Sequence, residues 1–434
     1  MTGAEQRDTK SGISLNFLGA LGRTIGPGVI TGAADDDPSG VATYSQAGAQ
    51  FGFGLLWTVF LTTPFMIAIQ LVSAQIGRVT GQGLAANVLK VAPRSVVIVL
   101  AVLLVTANTF NIAADLVAMG SALSLVIGGL EHEHALFFAA ASMLLQVFVP
   151  YRRYASVLRL LTLSLFAYVA TAFTVDIPWK KALFAAVWPS PTLNSDFLMM
   201  VVAVLGTTIS PYLFYWQAAQ EVEEMRRGNN RRPLRDLVRG GYREIDRITV
   251  DTIVGMGISN FIAFFIVLTT AAVLNSAGVT NIQSASQAAE ALRPLAGDLT
   301  FLLFALGIIG TGLLAVPVLA GSAAYCVAET FGWPATLEAK VPQAVGFYGI
   351  IIAATAIGFA LGFTPLDPIR MLIWSAVLNG VVAVPIMAAM MVIIQNPKLM
   401  GRFRGGQWLI LLGWLGTALM ATAVVAMTWS FVKG

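Results

Sequence analysis

Long apolar runs separated by short polar stretches dominate this chain, and their lengths match membrane crossings rather than the period-2 alternation of a half-buried strand. Eleven such runs are expected as helical spans: 17–50, 55–76, 95–123, 135–149, 154–175, 197–220, 252–274, 299–328, 344–361, 370–394 and 408–431. The first contains Asp35-Asp36-Asp37-Pro38 between Gly32 and Gly40. A carboxylate in hydrocarbon is costly, so an acid inside a span marks function. Proline lacks a backbone donor and clashes with the preceding turn, so the helix should break here and expose carbonyls. Free carbonyls and carboxylates suit a cation where they line a protein cavity.

The sixth run is interrupted in the same manner, at Ser210-Pro211. Spans one and six start five spans apart and so enter the membrane from opposite sides. Paired broken helices in two inverted halves point to the central site of a transporter. The expected organisation is a single membrane domain with repeats at about 17–175 and 197–394 and an extra span at about 408–431. Pro317 and Pro385 read as ordinary kinks.

Composition supports this class. The chain of 434 residues is 57% hydrophobic and 11% charged, with a mean hydropathy of +0.78. Soluble domains carry about 25% charged residues, so no sizeable soluble domain is expected. The polar segment 1–16 lacks a cleavable signal pattern, so span one is expected to direct its own insertion. With the N-terminus in the cytoplasm, 21 of the 26 basic residues fall on that side, as the positive-inside rule requires, and the C-terminus lies outside. The net charge of +4 then reflects loop topology, not nucleic-acid binding. The arginine-rich loop 221–251 reads as a solvated cytoplasmic linker, and Pro178-Trp179-Lys180-Lys181 as an interfacial segment. The lone Cys326 is a small packing residue.

Few residues suit enzymatic chemistry. There is no His-Glu-x-x-His motif, so an intramembrane metalloenzyme is disfavoured and no cofactor is expected. His132 and His134 read as part of a solvated outer loop, and Gln217, Gln220, Glu221, Glu223 and Glu224 as a polar helix end.

Gly26-Pro27-Gly28, Asp37-Pro38-Ser39-Gly40, Ala42-Thr43, the run 46–52 (QAGAQFG), Leu55-Leu56-Trp57 and the run 77–81 (GRVTG) together resemble the NRAMP family of divalent-metal transporters. The resemblance covers nearly the whole chain and is densest in its first 120 residues. It implies a LeuT-like fold of two inverted five-helix repeats plus one extra helix, with spans one and six broken. It further implies a divalent-cation substrate, a lipid bilayer as surroundings, a monomer, and the inner membrane of a prokaryote.

The departures from the family pattern carry the sharper reading. Where the family has Asp-Pro-Gly-Asn, this chain keeps Asp37 but has Gly40 for the asparagine. Where it has Met-Pro-His, this chain has Ser210 and Tyr212. The resemblance places the Thr207 carbonyl and Asn379 at the ion, and Asp115 on the family's proton route, with Ala118 near the place of its expected acidic partner. Losing a soft thioether leaves hard oxygen ligands, which suit Mg²⁺ and also accept Mn²⁺. Gly40 is expected to leave space for a hydrated ion. In an extended break Asp35 and Asp37 would share a side. Asp37 is expected as the ligand, Asp36 as a candidate for the vestibule, and Asp35 as a solvated neighbour. With Tyr212 in place of a titratable histidine, uncoupled Mg²⁺ and Mn²⁺ transport is expected, and a proton-coupled Mn²⁺/Fe²⁺ transporter is the alternative.

Overall fold

The computed structural model describes residues 26–149, 163–189, 194–227, 232–237, 240–282, 285–364 and 368–433. All regular structure among them is helical. The main helices are α1 (Pro27–Asp35), α2 (Pro38–Phe51), α3 (Leu56–Thr80), α4 (Leu84–Val88), α5 (Arg94–Ile127), α6 (Glu131–Phe148), α7 (Phe166–Ala172), α8 (Trp179–Val187), α9 (Ser195–Thr208), α10 (Pro211–Arg227), α11 (Tyr242–Thr270), α12 (Thr300–Phe331), α13 (Val345–Leu361), α14 (Pro368–Gln395) and α15 (Gln407–Lys433). Each of the eleven predicted spans contains helix, and among the described residues seven helical runs are long and apolar enough to cross a membrane. The start of span one and residues 154–162 of span five lie outside the described residues.

Both predicted breaks are present. α1 ends at Asp35 and α2 begins at Pro38; α9 ends at Thr208 and α10 begins at Pro211. Proline at the first helical position lacks only a donor that would be orphaned anyway, so it starts a helix as readily as it ends one. Pro317 and Pro385, by contrast, sit inside the continuous helices α12 and α14.

The half-helices are packed closely enough that side chains are excluded. A Cβ on Gly32 would sit 2.3 Å from the Gly255 carbonyl oxygen, and one on Gly255 would sit 2.2 Å from that of Gly28, so α1 lies directly on the α11 backbone. A Cβ on Gly206 would sit 2.1 Å from the Ala376 carbonyl oxygen, which binds α9 to α14 in the same way. Small residues permit such approach where lipid supplies no hydrophobic drive. Phe60, Val99, Val102, Trp408 and Val425 face outward, as lipid contact requires.

Several polar expectations are corrected. His132 and His134 lie in the first turn of α6, not in a loop; His132 stacks on Phe363, and His134 Nε2 lies 2.8 Å from the Gly128 carbonyl oxygen. The two ends of 221–251 are not solvated linker: α10 runs on to Arg227, α11 starts at Tyr242, and Glu221, Glu223 and Asp251 are buried. Helix extension beyond the apolar run explains the difference, because the buried acids find partners on neighbouring helices. Arg247 bonds Glu221 at 2.9 Å, and the Asp251 carboxylate accepts from the backbone N–H of Gly26, Gly28 and Val29 at 2.9, 2.7 and 3.3 Å. Asp251 thus caps α1 from another helix, satisfying its orphan donors and opposing its positive dipole end.

Candidate metal-binding site

Asp36 and Asp37 form the turn between α1 and α2, with Asp37 in the extended conformation of an N-cap. Its Oδ1 accepts from the Gly40 N–H at 2.6 Å and from the Ser39 hydroxyl at 2.9 Å. That is ordinary capping chemistry, and it fixes the carboxylate. Oδ2 is left facing inward, toward the Tyr212 hydroxyl at 3.2 Å and Asn111 Nδ2 at 3.5 Å. The Tyr212 hydroxyl also reaches the Ala34 carbonyl oxygen, released by the end of α1, at 3.4 Å. It carries one hydrogen, so it cannot satisfy both acceptors at once.

The other two acids face elsewhere. Asp35 Oδ2 and Asp36 Oδ1 lie 2.6 and 3.1 Å from the Ser259 hydroxyl of α11. Asp35 therefore shares a side with Asp36 rather than with Asp37. It is the last residue of α1 and keeps the helical direction, and the chain extends only after it. Nor is Asp35 solvated: Asp35, Asp36 and Asp37 are 1, 3 and 1% exposed. Among the described residues no Lys, Arg or His lies within ion-pair distance of any of the three.

At the second break the Ser210 hydroxyl turns back, its one hydrogen shared between the Gly206 and Thr207 carbonyls, both at 2.8 Å. The Thr207 carbonyl expected at the ion is thus engaged by Ser210 in this conformation. Gly40 does not leave open space here: a Cβ would lie 3.3 Å from the Asp35 carbonyl oxygen, 3.3 Å from Asp37 Oδ1 and 3.4 Å from Thr207 Oγ1. The two breaks meet at that glycine. Asn379 is buried, with its Oδ1 unpartnered. Asp115 is also buried; neither of its oxygens has a hydrogen bond of good geometry, and the Asp37 carboxylate and Ser39 backbone are its polar neighbours.

Two residues at the site escaped the reading of the sequence. Asn111 is fully buried with an unpartnered Oδ1, and the spacing Asn108, Asn111, Asp115 on one face of α5 was its available signal. Ser259 carries no such signal, because a serine in a span usually bonds its own helix. Gln217, expected at a polar helix end, is instead buried against the Thr31 hydroxyl with its Nε2 unpartnered.

Among the described residues, no three Asp, Glu, His or Cys side chains are grouped as they would be to hold a metal ion. The arrangement offers carboxylates and neutral oxygens, a donor set for a hard cation that keeps some of its water. The family described as natural resistance-associated macrophage protein-like, Nramp, matches residues 28–430. The chain belongs to the Nramp family. Its similarity to individual Nramp-type proteins is distant but runs over most of their length. It is 27% identical over 409 residues to the divalent metal cation transporter MntH of Klebsiella pneumoniae strain 342, covering 92% of each chain. It is 26% identical over 410 residues to the MntH of Pectobacterium carotovorum, again covering 92% of each. Among solved structures it resembles the manganese transporter of Eremococcus coleocola, with a TM-score of 0.75 at 15% identity, covering 97% of this chain and 89% of that one. The nucleobase-cation-symport-1 family transporter Mhp1 matches at a TM-score of 0.56 and 13% identity. The fold of this Nramp chain is therefore LeuT-like, as the paired breaks imply.

Proposed function

We propose that this chain is a secondary transporter that moves divalent metal cations through the paired breaks by alternating access, with Mg²⁺ as principal cargo, Mn²⁺ also accepted, and no coupled proton. The observation that carries the reading is the Asp37 carboxylate, buried where two broken helices meet and without a cationic partner. A carboxylate so placed must either take up a proton or meet a cation, and the transport reading assigns it the cation. The ligand assigned is Asp37, with Asp36 as a candidate for the vestibule beside it and with Gly40, Thr207, Ser210 and Asn379 shaping the oxygen cavity. Both similar MntH proteins are named as divalent metal cation transporters, which supports the ion's charge. Ser210 and Gly40 support Mg²⁺: neither supplies a soft ligand, and an ion reluctant to dehydrate is served by few carboxylates and retained water. The membrane potential contributes about 4.6 kcal/mol per 100 mV to a divalent cation, so uptake needs no second driving ion.

The assigned architecture is two inverted repeats, about 17–175 and 197–394, with the N-terminus in the cytoplasm of a prokaryotic inner membrane and the chain acting as a monomer. One observation favours a second reading, a proton-coupled Mn²⁺/Fe²⁺ transporter: Asp115 is buried beside Asp37 with both oxygens short of donors. Metal flux into proteoliposomes, with and without an imposed pH gradient, separates the two. Uptake of Mg²⁺ that ignores the gradient and leaves internal pH unchanged supports the first. Stoichiometric proton entry overturns it.

A further inference from the structure

The three acids at the first break differ in the donors they find. Asp37 has the Gly40 N–H, the Ser39 hydroxyl, the Tyr212 hydroxyl and the Asn111 amide. Asp35 and Asp36 reach one hydroxyl between them, that of Ser259, which has a single hydrogen to give. A second and independent observation is an orphan: Asp35 Oδ1 has no hydrogen-bond partner, although its side chain is 1% exposed. Both residues also stand at the C-terminal end of α1, where the helix dipole adds partial negative charge. Unpaired carboxylate oxygen that deep costs several kcal/mol unless a proton or a cation sits on it, and two adjacent carboxyls give a divalent cation both charges it needs. The largest uncompensated negative charge at this break is therefore beside Ser259, on a different helix from the Tyr212 and Asn111 partners of Asp37 Oδ2.

We infer that Asp35, Asp36 and Ser259 form a second divalent-cation subsite, distinct from the one at Asp37 and built between α1 and α11. The inference rests on the transport reading above. Two carboxylates balance a doubly charged ion, the serine oxygen is a further hard ligand, and the remaining positions are left to water. Because α1 precedes the break, this subsite lies on the side of Asp37 toward the N-terminus of α1. With that end in the cytoplasm, it is the next station for an inbound ion. A carboxylate pair there would draw an ion off Asp37, and repulsion from a following ion at Asp37 would help expel it.

Equilibrium dialysis of Mn²⁺ against the purified full chain in nanodiscs tests the count of sites. The expected result is two Mn²⁺ per wild-type chain, one in the double variant Asp35→Asn/Asp36→Asn, and one in Asp37→Asn. Ser259→Ala should weaken one of the two sites by about tenfold and leave the other unchanged. Two ions bound by the double variant with wild-type affinity would overturn the inference. So would a single ion in the wild type; if Asp37→Asn then abolishes it, the transport reading stands and only the second subsite falls. No divalent binding in the wild type would sink both. Should the double variant fail to purify as a monodisperse species, Ser259→Ala decides alone, and unchanged affinity at both sites refutes the subsite.

Discussion

The two breaks share a design, and their side chains work in opposite directions. In each, the residue just before a proline that starts the second half-helix carries the polar group, Asp37 in one and Ser210 in the other. Asp37 caps the half-helix that follows it, accepting from the Gly40 N–H, whereas Ser210 closes the half-helix before it, donating to Gly206 and Thr207. The first break thus presents negative charge, and the second covers the carbonyls a cation would use. One half of the site is poised for an ion in this conformation; the other must rotate the Ser210 hydroxyl away before its carbonyls can serve.

The largest expected effect comes from removing the charge that distinguishes the first break. Asp37→Ala should cut Mg²⁺ and Mn²⁺ uptake by about a hundredfold or more, since removing one partner of a buried charged interaction costs about 3–5 kcal/mol. Uptake by the reconstituted variant, checked for monodispersity, measures it; wild-type flux would detach Asp37 from transport. A smaller effect is expected at the second break. Ser210→Met frees the Thr207 carbonyl and adds a soft ligand, so millimolar Mg²⁺ should inhibit Mn²⁺ uptake much less in the variant than in the wild type. Adding Gly40→Asn should sharpen this selectivity but lower turnover, because a Cβ there meets three oxygens at 3.3–3.4 Å. Equal inhibition by Mg²⁺ in all three proteins would place selectivity elsewhere.

Coupling separates the breaks in another way. Tyr212 stands where the resemblance expects a histidine, and its hydroxyl spans the two breaks by reaching Asp37 and Ala34. A pH dye inside proteoliposomes should therefore register no proton entry with metal. In Tyr212→His a pH dependence of uptake between about pH 5 and 8 should appear. A metal-dependent proton signal in the wild type that vanishes in Asp115→Asn would promote the coupled mechanism.

The spans and both breaks were legible because hydrocarbon thickness and proline stereochemistry act locally, on residues adjacent in the chain. The place of Asp37 in the first break was legible for the same reason. The partition of the acids was not. Whether Asp35 turns toward Asp37 or toward Asp36 depends on Ser259, which is more than two hundred positions away and reaches the break only because Gly32 and Gly255 let α1 and α11 touch. The inward turn of the Ser210 hydroxyl was not legible either, because it depends on which carbonyls the helix end brings near. The buried acids of 221–251 were taken for loop residues because apolar length alone underestimates helices whose ends dock on other helices.

The smallest expected effect concerns the far end of the first half-helix. Asp251→Asn removes the charge that caps α1 and should weaken that cap by about 1 kcal/mol. Hydrogen exchange of the α1 amides should then accelerate about fivefold, read by mass spectrometry of the peptide around Pro27–Asp35. No change would mean the cap is redundant with the glycine contacts.

That cap has a kinetic meaning as well. α1 has nine residues, so it is about 14 Å long, and it is tethered at its first turn by one carboxylate and at its last by Ser259. Both tethers belong to α11. A segment so short and so anchored behaves as a latch, with α11 holding both ends and α10 adding the Thr31–Gln217 contact between them, and these helices set the energy at which it lifts. The rate of a transport cycle through this chain would then be written less at the ion than in the grip of one helix upon another.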